Sequence, residues 1–127
     1  MSRIGRAPAA VMFGAIQLLA CAPAPITADA PKAVAGHPLP PYEVHEECVE
    51  LKPGDRLDYT FESTAPVDFN IHYHEGSAVA MPVVREKSRG DAGVFAPPLV
   101  HHYCLMWEAG AAGALIDYRM RLRPAGP

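Results

Sequence analysis

The chain has 127 residues, half of them hydrophobic, with 11 Lys and Arg against 14 Asp and Glu for a formal charge of −3 at pH 7. That length fits one small domain. The acidic balance excludes nucleic acid and anionic headgroups as partners held by charge.

Residues 1–20 read as an export signal. MSRIGR supplies a basic start, and APAAVMFGAIQLLAC continues without a charged side chain. An apolar run of that length is shorter than the ~20 residues of a membrane span and suits the h-region of a signal peptide. Leu18-Leu19-Ala20-Cys21 resembles the bacterial lipobox, although leucine stands where a small residue is usual. The resemblance implies that Cys21 is acylated and becomes the mature N-terminus, anchoring the protein to a membrane through lipid. Ala22 in place of Asp implies, by the same resemblance, an outer-membrane lipoprotein facing the periplasm. A second cleavage site, Ala28-Asp29-Ala30, would release a soluble periplasmic protein, but Pro31 follows it directly. Loss of residues 1–20 removes Arg3 and Arg6, leaving nine basic side chains against the 14 acidic ones.

Three cysteines are an awkward number in an oxidising compartment. With Cys21 assigned to lipid, Cys48 and Cys104 form an even pair, which predicts a disulfide between them. It closes a loop of more than fifty residues, and such a link stabilises by roughly 4 kcal/mol in the chain-entropy model. Two separate thiols are the alternative. Residues 21–41 are rich in Pro and Ala without periodicity and read as a tether, with His37 solvated in it.

From residue 42 to 123, alternation dominates. VHEECVEL reads as a strand and Lys52-Pro53-Gly54-Asp55 as a turn. RLDYTFES sets Leu57, Tyr59 and Phe61 on one face, and VDFNIHYH sets Val67, Phe69, Ile71 and Tyr73 on one face against Asp68, Asn70, His72 and His74. AVAMPVV reads as an edge strand because Pro82 cannot donate to a ladder. REKSRGD reads as a charged loop, AGVFAPP as a short strand, LVHHYCLMW as a strand, and EAGAAG as a turn. ALIDYRMRLR alternates most cleanly, and residues 124–127 are a short tail. About seven short strands with these turns predict an all-β fold, a single antiparallel β-sandwich. Trp107, Tyr103, Tyr73, Tyr118 and Phe69 hold the apolar parity and are expected in the core.

Cys48 on an early strand, LKPGDRLDYTF after it, and GVFAPPLVHHYCLMW with its late cysteine make residues 44–123 similar to the GOLD-type sandwich of secretory-pathway cargo receptors. The resemblance implies a disulfide-linked β-sandwich that binds rather than catalyses. The coiled coil and membrane span of those receptors have no counterpart here, so their trafficking role does not carry over.

His72 and His74 stand two apart on a strand, about 7 Å apart along one face. Two imidazoles at that spacing converge on one ion when a neighbouring strand adds a third ligand, and His102 and Met106 share a face on a later strand. Imidazole with thioether favours copper; imidazoles alone suit zinc or copper. The plainer alternative is a solvated strand face, since Asp68 and Asn70 share it. A cupin-type site is excluded, because the Glu and Gly that follow its H-x-H at a distance are replaced by Ala78 and Val79. The chain holds no G-x-S-x-G, no phosphate-cradling loop and no H-E-x-x-H. Glu43, Glu46, Glu47 and Glu50 read as a solvated acidic edge that disfavours a Cys48 thiolate.

The sequence therefore predicts an exported, lipid-anchored sandwich of the bacterial envelope. It binds an envelope protein or supports the envelope without catalytic activity and without a cofactor. The alternative is a periplasmic copper or zinc binder using His72 and His74, with His102 and Met106 as further ligands.

Overall fold

The structure, a computed structural model, describes residues 26–28 and 30–127. The segment expected to be a signal peptide, and Cys21, lie outside them. Six strands follow in chain order: β1 Lys32–Leu39, β2 Val44–Leu51, β3 Arg56–Glu75, β4 Ala78–Phe95, β5 His101–Ala109 and β6 Ala114–Arg123. All pairings are antiparallel, in the order β1-β6-β3-β5-β2, with β4 on the other edge of β3.

The architecture turns on β3. Its first half, Arg56 to Ser63, pairs with β6, and its second half, Val67 to His72, pairs with β5. β4 accompanies it throughout, with a register break between Glu62 and Val67. Pro66 lies in that break, where a missing N–H costs no ladder bond. The β3–β4 hairpin thus belongs to two layers, and the sheet curls until they face each other. Phe61 of the first half packs against Phe69 of the second with ring centroids 4.8 Å apart, and Trp107 of β5 against Tyr118 of β6 at 4.8 Å, both pairs tilted. Leu57, Ile71, Tyr103, Leu105 and Ile116 are wholly buried between the layers. The expected aromatic core holds, with Tyr73 only partly buried at its margin.

The all-β antiparallel fold stands, while four details differ. RLDYTFES and VDFNIHYH are one strand, because the chain stays extended through Pro66. REKSRGD is part of β4 rather than a loop. Its charges face solvent from a bulged edge, where Lys87 adopts φ 47° and its N–H donates to the Asp68 carboxylate at 2.8 Å. Gly90 permits close approach there, since a Cβ would come within 2.9 Å of the Phe61 carbonyl oxygen.

Third, Lys32–Leu39, inside the expected tether, is a strand covering the edge of β6. Its alternation is hidden by a bulge. Val34 opposes Tyr118 and His37 opposes Ile116, so β1 spends one residue more than β6, and Gly36 takes the positive φ of 64°. The bulge moves the inward parity from Val34 to His37 and Leu39. Fourth, the C-terminal tail is held: the Ala125 N–H donates to buried Asp55 at 2.8 Å.

Candidate functional site

Alternation sends neighbouring residues of β2 to opposite sides of its layer, so two histidine clusters form on either side. His45 and Glu47 point inward with Val49 and Leu51, while Glu46, Cys48 and Glu50 point outward.

The inner cluster closes the sandwich between its edge strands β1 and β2. Glu47, 9% exposed, lies 2.6 Å from the Lys32 ammonium and accepts the Tyr118 hydroxyl at 2.5 Å. Since that hydroxyl is spent on Glu47, His45 Nε2–H must donate to the Tyr118 oxygen, 2.9 Å away. His37 stacks on His45 at 3.9 Å, so the expectation of a solvated His37 is corrected. Burial alone would raise the Glu47 carboxyl, but the Lys32 and Tyr118 hydrogen bonds and the Lys32 charge hold it below its ordinary value. Burial and the adjacent Glu47 push the Tyr118 phenol well above the usual range. Burial, with His37 beside it, lowers His45. Glu47 is therefore a buried, paired group and not part of a solvated acidic edge.

The outer cluster lies on the face that carries His72. Cross-strand register sets Cys48, Cys104 and His72 in one row over β2, β5 and β3, and Glu46, Met106 and Asn70 in the next. Directly opposed outward side chains sit about 5 Å apart. Cys48 and Cys104 form the expected disulfide, with S–S 2.04 Å, so neither sulfur is a thiolate. Cys48 is exposed and Cys104 half-buried.

His72 is only 5% exposed, against the expectation of a wet face. Its Nδ1 lies 2.7 Å from the Asn70 side-chain oxygen. With the Asn70 oxygen so placed it accepts from Nδ1–H, and in that tautomer the neutral ring presents an Nε2 lone pair. That Nε2 faces Glu46 Oε1 at 3.6 Å. Burial lowers the His72 pKa more than Glu46 raises it, and His74 lowers it further, so near neutrality the contact is not an ion pair. Two electron-pair donors thus converge, with the His74 ring centroid 5.2 Å from that of His72. An oxygen that holds one imidazole nitrogen while the other is left free is the usual arrangement behind a metal-bound histidine.

The other expected ligands are less well placed. His102 lies 3.5 Å from Glu50, both side chains about 70% exposed, a surface contact that contributes little. Met106 is half-buried beside Asn70 in the neighbouring row. Met81, which sequence reasoning did not single out, lies in the β4 bulge opposite His72, where Ile71 opposes Val83 and Tyr73 opposes Ala80. Sequence reasoning also missed Glu46 and Asn70 as partners of His72. The Asn70-x-His72 spacing was the available signal.

A depression of about 430 Å³ opens elsewhere, on the outside of the other layer over Ala33, Ala35, Thr60, Glu62, Asp117 and Arg119. Neither a histidine nor a cysteine lines it. No protein-family model matches the chain, and no curated protein matches its sequence. The likenesses to lipoproteins and to the GOLD sandwich therefore rest on the motifs and strand spacing described above.

Proposed function

We propose that the protein is an exported, lipid-anchored sandwich of the bacterial envelope that binds rather than catalyses. The ligand of its outer face is a transition-metal cation, zinc or copper, held by His72 with Glu46 and His74. The observation that carries this reading is the His72 ring, oriented by Asn70 so that its free nitrogen meets a carboxylate oxygen at 3.6 Å. Imidazole and carboxylate donors suit Zn(II) and Cu(II), and the Met106 thioether in the neighbouring row adds a preference for copper.

Native mass spectrometry of the oxidised protein titrated with zinc and copper tests it. One ion retained by the parent and lost by His72→Ala/His74→Ala supports the reading; equal behaviour of the two proteins rejects it. A second reading, an envelope protein docked on the same face, draws on the exposed apolar strip of Val79, Met81 and Val84 beside the histidines. It predicts an unaltered crosslinked partner in the double-alanine variant and a lost one when that strip is made charged.

A further inference from the structure

A cation site whose nearest atoms include both sulfurs of a disulfide has two compositions, one for each redox state. A Glu46 carboxylate oxygen and the Cys48 and Cys104 sulfurs all lie within 4.8 Å of one another. His72 is the next position of the Cys48–Cys104 row, and its Nε2 faces the same carboxylate at 3.6 Å. Oxidised, the two sulfurs are bonded to each other and are poor ligands. Reduced, they are two thiols beside a carboxylate, three donors grouped together, and the His72 Nε2 next to that carboxylate would supply the fourth donor of a tetrahedral ion.

We propose that reduction of the Cys48–Cys104 disulfide by a dithiol converts the His72 face into a thiolate zinc site, with Cys48, Cys104, His72 and Glu46 as ligands. The proposal rests on His72 being a ligand, and adds that the metal preference is set by redox state. A reductant thiolate attacks the exposed Cys48 sulfur, breaking the S–S bond and releasing Cys104 as the leaving thiolate. The reductant's second thiolate then displaces Cys48 and closes the reductant's own disulfide. Two electrons pass from the reductant, and the two protons its thiols lose match the two that Cys48 and Cys104 gain. A divalent zinc ion then displaces both thiol protons to water. The neighbouring Glu46 makes the thiolates dependent on the metal, because two thiolates and a carboxylate in so small a space are tolerated only around a cation.

The test uses the full chain with cobalt(II), whose thiolate charge-transfer band reports sulfur ligation, and zinc competition for affinity. Four proteins are compared: the oxidised parent, the parent reduced with a phosphine, Cys48→Ser/Cys104→Ser, and His72→Ala. The expected result is a thiolate band in the reduced parent alone among the first three, and zinc binding roughly a hundredfold or more tighter than in the oxidised parent. Reduced His72→Ala keeps the band with weakened affinity. No band on reduction, or affinity unchanged by it, overturns the proposal while leaving the oxidised site standing. Zinc binding only after reduction, with the band, rejects the oxidised site and keeps this one. The near-ultraviolet signal of buried Trp107 guards against a trivial result: a band that appears only as that signal collapses reports an unfolded dithiol, and overturns the proposal.

Discussion

His45 and His72 are both largely enclosed and both titrate below the ordinary histidine value, chiefly through burial. Their hydrogen-bond partners nonetheless favour opposite tautomers. At His45 the Nε2 proton enters a closed chain, donated to Tyr118, whose own proton goes to Glu47, which Lys32 neutralises. At His72 the proton is on Nδ1, facing Asn70, and the Nε2 electron pair is left toward Glu46. The first arrangement satisfies its groups within the fold and ties β1 to β2 and β6. The second leaves two acceptors facing each other, the arrangement on which the proposed cation site rests. Burial and a lowered pKa alone do not separate the two histidines; the partners of their ring nitrogens do.

Breaking the disulfide has the largest expected effect on folding. Cys48→Ser/Cys104→Ser releases a link across 56 residues and should lose roughly 4 kcal/mol in urea unfolding, in the chain-entropy model. Retention of full stability would mean that the β2–β5 ladder alone holds this layer. Next comes Glu47→Ala, which strands the Lys32 ammonium and the Tyr118 hydroxyl in a mostly buried place. A loss of about 3 kcal/mol is expected, with metal binding on the outer face unchanged. A variant that lost metal but kept stability would reverse the roles assigned to the two clusters.

Asn70→Ala sharpens the comparison from the other side. It removes only the group that orients His72, so metal affinity should fall about 10- to 100-fold. The urea midpoint should move far less than in Glu47→Ala. Equal affinity in Asn70→Ala would show that the tautomer argument fails at His72.

Much of this was legible in the sequence. β2 and β6 run over the segments that alternation marked, Val44–Leu51 and Ala114–Arg123, and the Cys48–Cys104 pair follows from the cysteine count. The shared face of His72 and His74 was legible too, since parity within a strand needs no tertiary information. What stayed hidden has a common cause in backbone irregularity and lateral pairing. Gly36 shifts the phase of β1, and RLDYTFES and VDFNIHYH read as two strands although Pro66 between them lies in a register break of one continuing strand. Glu46 and Glu47 read as one acidic edge because only the side of the layer each faces separates them. The burial of His72 depends on strands that register brings beside it, and nothing local in FNIHYH encodes that register.

The smallest expected effect is a pH dependence of stability in the metal-free protein. His45 is faced by His37 and Lys32 from β1, Glu47 on its own strand, Tyr118 from β6 and the Trp107 ring from β5. Its folded pKa is depressed, mainly by burial, below the 6.5 expected when unfolded. Below pH 6.5 the unfolded chain therefore binds protons that the folded chain refuses, and stability falls as pH drops through the folded value. His72 acts in the same direction and the same window. Glu47, also depressed, adds its loss only below its ordinary 4.5. The melting temperature should thus be level above pH 7 and decline by a few degrees toward pH 5. His45→Gln keeps a donor for Tyr118 without a titrating ring, so it should flatten part of that decline, and His72→Gln the rest. An unchanged slope in both variants would place the acid sensitivity at other groups and leave the inner cluster with a purely mechanical part in holding β1.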